Sequence, residues 1–264
     1  MKHLWRIGFV GLTGIALSSA PALAAPIMFS GSGTGDEGAA LAAQAIFDIT
    51  GDQLTVTLIN IATSDNTSSN KDVSANTLTG VFFDLTGSAT LTPVSATIEE
   101  GSIVQGGMCD AGTCDGSTTN VGGEFRYDTG LFPGGADRGI ASSGYIGGPD
   151  GNFGGSNLDD PDSPDGINFG ILSSDPSYLP NGGLANDPLI RNQVVFILTG
   201  VSGLSIYDIG NVSFQYGTGL DEPNIPGDCV DCTQEDVPEP TTLLLLGCGL
   251  AALGLYRRRP RARG

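Results

Sequence analysis

The sequence predicts an all-β body: an antiparallel β-sandwich, jelly-roll-like, with a long Gly/Asp/Pro-rich insertion. Three observations carry this reading. Period-two alternation of apolar and polar residues recurs along the chain. Gly, Asn and Asp turn signals separate the alternating segments. Outside the two ends, no segment has a 3.6-residue period. An N-terminal signal peptide and a C-terminal transmembrane helix flank the body. The expected divisions are 1–24 signal peptide, 25–227 β-sandwich, 228–236 an acidic linker with two cysteines, and 237–264 a terminal sorting segment.

The first 24 residues read as a processing segment. "MKHLWR" supplies positive charge, "IGFVGLTGIAL" is apolar, and "SSAPALA" ends in small residues. Ala22-Leu23-Ala24 fits the A-x-A rule and places the cut after Ala24. An uncleaved anchor is the alternative, against which the run is short. Cleavage removes His3 and Trp5, the only histidine and tryptophan. The exported chain then has no imidazole for a Ser-His-Asp or Cys-His site, or for zinc. We therefore expect no enzyme. A carboxylate-based glycan hydrolase is the catalytic alternative, since two positioned Asp or Glu suffice for it.

Within the body, "QAIFDITGDQLTVTLINIA" is the clearest piece. Phe47 and Ile49 alternate with Ile46, Asp48 and Thr50; Leu54, Val56 and Leu58 alternate with Thr55 and Thr57. A hairpin about Gly51-Asp52 follows. "EGAALAAQA" before it reads as one helical turn or as the lead into the strand. "LTGVFFDLTG" gives a strand with Val81, Phe83 and Leu85 on one face. "SATLTPVSATI" gives one or two strands broken at Pro93. "GEFRYDT" is short. "QVVFILTGV" is a continuous apolar run suited to a central strand. "NVSFQYGTG" puts Val212, Phe214 and Tyr216 together. "TSDNTSSNKDVSAN" reads as a flexible polar loop or as a site of surface modification, with the loop favoured. Between Leu131 and Asp187 the chain is rich in Gly, Pro, Asp, Asn and Ser, too long for a simple loop. "SGYIGG" and "GINFGILSS" are expected to add edge strands there.

The charge is segregated. Net charge is -18, yet five arginines (Arg257, Arg258, Arg259, Arg261, Arg263) lie in the last eight residues. From residue 25 to 256 only Lys71, Arg126, Arg138 and Arg191 are basic, against all 29 acidic residues. Such a body repels nucleic acid, so none is expected as a partner. Divalent cations or plain solubility suit it.

Asp159, Asp160, Asp162 and Asp165 precede Gly166. Clustered carboxylates before a sharp-turn glycine are what calcium requires. Two prolines and the lack of a closing glutamate depart from the EF-hand pattern, and a solvated acidic loop is the competing reading. Asp150, Asn152 and Asn157 would complete a calcium site. No other cofactor is expected. Polysaccharide binding would need aromatics such as Tyr145, Phe153 and Tyr178 along a groove; the competing reading makes them core or loop anchors.

The cysteines fall as Cys109/Cys114, Cys229/Cys232 and Cys248. Export favours disulfides over a zinc ribbon. Three pairings of the first four are open, and the local ones, Cys109–Cys114 and Cys229–Cys232, are favoured. Cys248 lies in the apolar tail and leaves with it, unless it carries a lipid.

Thr241 to Tyr256 carries no charge. Sixteen residues rise about 24 Å as a helix, against a hydrocarbon core of about 30 Å. The arginines that follow stay cytoplasmic by the positive-inside rule. A plain tail anchor or a hydrophobic core helix is the alternative; against the core helix, the arginines and prolines at its ends leave nothing to pack against. Before the span, Val237-Pro238-Glu239-Pro240 is held extended, with both prolines lacking a donor. The order Pro-Glu-Pro, apolar span, terminal arginines resembles the PEP-CTERM sorting signal of exported proteins of exopolysaccharide-making Gram-negative bacteria. The resemblance covers about the last 28 residues. It implies recognition by a membrane-embedded exosortase after passage through the secretion machinery and a transient stay in the inner membrane. Removal of the tail and a place at the cell surface or in an exopolysaccharide or biofilm matrix would follow. The "LTGVFFDL" and "VVFILTG" strands also resemble, more loosely, the bodies of some such surface proteins. That likeness implies no catalytic residues.

Overall fold

The computed structural model describes residues 25–35, 38, 40–63, 76–98, 102–105, 120–142, 153–159, 169–175, 188–232 and 242–257. The strands are β1 (Ile27–Thr34), β2 (Ala40–Thr50), β3 (Gln53–Asn60), β4 (Leu78–Leu85), β5 (Thr92–Ile98), β6 (Ile103–Gln105), β7 (Phe125–Thr129) and β8 (Arg138–Ser142). They continue as β9 (Ser156–Asn157), β10 (Ile171–Leu172), β11 (Leu189–Arg191), β12 (Gln193–Thr199), β13 (Ile209–Tyr216), β14 (Asn224–Pro226) and β15 (Asp228–Cys229). The helix α1 spans Thr242–Arg257.

One sheet has the order β15-β1-β2-β3-β12-β5. The other runs β6-β11-β10-β4-β8-β7-β9, with β13 also on β4 and β14 on β13. β10 and β11 run parallel; the other strand pairs are antiparallel. The description is therefore all-β, as expected, with both sheets facing one core.

Alternation builds that core. β2 turns Leu41, Ala43, Ala45 and Phe47 inward, and β3 turns Leu54, Val56 and Leu58 inward. The two strands pair from Ala43↔Asn60 to Thr50↔Gln53 about the Gly51-Asp52 turn. Val212, Phe214 and Tyr216 of β13 join the same core, as do Val81, Phe83 and Leu85 of β4. Edge-on aromatic contacts cross between the sheets: Phe47 meets Phe83 at 5.4 Å and Phe125 meets Phe196 at 5.0 Å. β12 lies between β3 and β5, consistent with its continuous apolar run.

Four details of these readings are set by the fold. Of the two readings of "EGAALAAQA", the lead into the strand is the one seen from Ala40, where β2 begins; alternate small residues suit a half-buried strand. "SATLTPVSATI" gives one strand: β5 begins at Thr92, and Pro93, its second residue, pairs with Leu198 beside an irregularity in register. As the last named strand of its sheet, β5 tolerates the missing donor. Ile171–Leu172 of "GINFGILSS" is interior, between β11 and β4, and both residues are fully buried. Phe82 is buried too, although it points away from the main core: it stacks on Phe132 at 5.0 Å beside Phe153. "SGYIGG" and residues 64–75, read as a polar loop, lie outside the described residues, as do residues 1–24, read as a signal peptide.

Candidate functional site

The site with a chemical reading is the C-terminal exit of the body, and it is built from β13 onward. After Tyr216 the chain turns back over one side chain. Gln215 Nε2 donates to the carbonyls of Tyr216 (3.0 Å), Gly219 (2.8 Å) and Glu222 (3.1 Å). The Glu222 carboxylate accepts from the backbone N–H of Gly219 at 2.7 Å and of Thr218. These bonds satisfy the turn's polar groups internally and deliver β14 against β13, with Phe214 opposite Ile225. β14 then passes close over β1. A Cβ on Gly31 would sit 2.5 Å from the Pro226 carbonyl oxygen, so only glycine permits the approach.

Gly227 N–H donates to the Val212 carbonyl at 2.8 Å, and the chain then crosses to the other sheet. There Asp228 and Cys229 pair with Ser30 and Phe29, and Val230 N–H donates to the Met28 carbonyl at 2.8 Å. Cys229 and Cys232 form a disulfide with their Cα atoms 5.8 Å apart. Cys232 packs against the main core. The segment read from sequence as a linker from 228 thus begins as a strand, and the folded body reaches Cys232. Its last strand lies on its first. Local sequence gave the Cys-x-x-Cys spacing, but the β1 partner, about 200 residues upstream, left no local mark.

Val237, Pro238, Glu239 and Pro240 lie outside the described residues, as do Arg258, Arg259, Arg261 and Arg263. α1 follows, ending at Arg257, with Leu246, Leu250 and Leu253 exposed and Cys248 free and exposed. Its 16 residues rise about 24 Å. No helix among the described residues is long and apolar enough to cross a membrane.

The acidic candidate is resolved at one residue. Asp159 Oδ2 accepts from Asn120 Nδ2 at 2.7 Å, and Asn120 Oδ1 accepts from Gly122 N–H at 2.9 Å. Asp159 therefore helps to seat a turn. Asn157 is likewise engaged: its Oδ1 accepts from Arg126 Nε at 2.7 Å. Asp150, Asn152, Asp160, Asp162 and Asp165 lie outside the described residues. Among the described residues no group of three or more His, Cys, Asp or Glu could hold a metal. Cys109 and Cys114 also lie outside them, with Tyr145 and Tyr178. Phe153 is buried among Phe82, Ala136 and Ala141, so it lines no groove.

The basic side chains described in the body serve the fold. Arg138 Nη2 donates to the Ala89 carbonyl at 3.0 Å and its Nη1 pairs with Asp137 at 2.6 Å. Arg191 Nη1 donates to the carbonyls of Ser173 (2.9 Å) and Asp175 (3.0 Å), and burial lowers its pKa. Burial pushes the Tyr127 phenol up to about 12, opposed by the neighbouring Arg138. Ser202, donating from side chain and backbone, holds Asp52 below the usual carboxylate range.

Residues 236–259 match the family model of the PEP-CTERM protein-sorting motif. Neither a curated protein nor a solved structure gives a significant match to the chain. The match begins four residues after Cys232, where the folded body closes, and extends two residues past α1.

Proposed function

We propose that the chain, whose residues 236–259 match the PEP-CTERM protein-sorting motif, is exported, held briefly at the inner membrane by its C-terminal segment and cut there by an exosortase. It then reaches the cell surface, where the β body is a structural component of an exopolysaccharide-rich matrix. The observation that carries this reading is the sorting motif at residues 236–259, following directly on a closed, disulfide-bonded body.

The physical chemistry supports each step. The exposed leucines of α1 are covered by hydrocarbon once the helix enters a bilayer. A rise of about 24 Å is short for a permanent anchor and suits a transient one. Arg257 and the arginines beyond it hold the C-terminus on the cytoplasmic side. The body, read as a jelly-roll-like sandwich, contributes mass and an acidic surface; we assign it no catalytic step.

The test replaces Pro238, Glu239 and Pro240 together by alanine in the native host. Released protein falls at least about tenfold and full-length chain accumulates in the membrane fraction. Unchanged release would remove the motif from the process. Loss of the protein is expected to change matrix or floc; an unaltered matrix counts against the structural role.

A further inference from the structure

We infer that β15 and the Cys229–Cys232 disulfide form a redox-closed clamp that fixes where the folded body ends. Oxidised, the last held residue is Cys232; reduced, it is Gly227. The inference goes beyond the sorting assignment and takes from it only the oxidising compartment in which the clamp closes.

The attachment beyond Gly227 is slight. β15 contributes two paired residues, and Val230 adds one backbone bond to Met28. Asp228, Cys229 and Val230 are all exposed, so little apolar burial holds them. The disulfide joins two residues of this same segment, so it acts by coupling the pairing of Cys229 on β1 to the packing of Cys232 on the core, and the two weak holds act as one. Gly227, by contrast, is bonded to Val212 and follows a strand with three paired residues. Opening breaks the Sγ–Sγ bond, takes up two electrons and two protons, and leaves two thiols. A dithiol reductant supplies both and becomes a disulfide itself. Residues 228–232 are then released, and the number of residues between the held body and Pro238 grows from five to ten. At about 3.3–3.6 Å per residue the maximum reach rises by roughly 17 Å. More important, Asp228 and Asp231 become open to proteolysis.

The test uses the purified exported chain with its tail and an endoprotease that cuts before aspartate, read by mass. Oxidised, the chain is spared at Asp228 and Asp231. Treatment with a dithiol, or the C229S/C232S double variant that leaves Cys109 and Cys114 untouched, opens cuts before Asp228 and Asp231 while Asp84 and Asp137 stay protected. Hydrogen exchange at the Val230 amide gives a second reading on the unmutated protein: protection falls about tenfold or more on reduction. The clamp is overturned if Asp228 and Asp231 are cut as readily in the oxidised chain as in the reduced one, or if reduction changes neither cuts nor exchange. It is also overturned if reduction exposes Asp84 and Asp137 together with Asp228, since the disulfide would then hold the whole body. No exosortase takes part, so failure here is distinct from failure of the sorting assignment.

Discussion

Asn60 ends β3 fully buried, and its side chain closes three hydrogen bonds. Nδ2 donates to the Ile171 carbonyl at 2.8 Å and to the Asn76 carbonyl at 3.3 Å, while Oδ1 accepts from Ala62 N–H at 3.2 Å. One amide thereby ties the first sheet to β10 of the second. Asn60→Ala leaves those backbone groups without their partner in a dry site and is expected to cost about 1–3 kcal/mol, read by denaturant unfolding. Tyr127 gives a pH signature. Its phenol ionises near 10 in the unfolded chain and at about 12 in the folded one. The stability it contributes is whole below pH 10 and is lost as pH rises through about 12. A stability–pH profile should fall over that window and flatten there in Tyr127→Phe; equal slopes would rule Tyr127 out as the source.

Among the elements, β15 carries the Cys229–Cys232 disulfide, which closes a short loop at the last strand. A four-residue loop contributes about 2 kcal/mol through loss of unfolded-state entropy. C229S/C232S is therefore expected to lower stability by about that amount without unfolding the body, measured as a shift in denaturant midpoint at unchanged slope. Elements with their own alternation, β2, β3 and β13, were legible in the sequence because each residue's face follows from its neighbours. β1 was not: Gly31 and Gly33 erase its pattern, and glycine is needed at 31 because β14 crosses there. β8 was missed because all five of its residues, Arg138 included, are buried. The burial of Phe82 depends on Phe132 and Phe153, each on a different loop, and no local period reports such contacts. At the site, the sorting motif was legible because it is contiguous. The pairing of β15 with β1 was not, because it joins the two ends of the body.

For the whole molecule, that pairing puts entry and exit together: the chain enters the sheet at Ile27 and leaves beside Met28. In the proposed membrane intermediate, a body built this way would be tethered from one edge, with the sorting motif within a few residues of it. The acidic balance of the body favours solubility over adhesion to anionic lipid in the proposed tail-free form.

The most direct measurement is the intact mass of the native protein in membrane and extracellular fractions of its own host. The account predicts an extracellular species without residues 1–24 and without everything beyond the Pro238–Pro240 region. A mature extracellular species that retains Arg257 to Gly264 would contradict it.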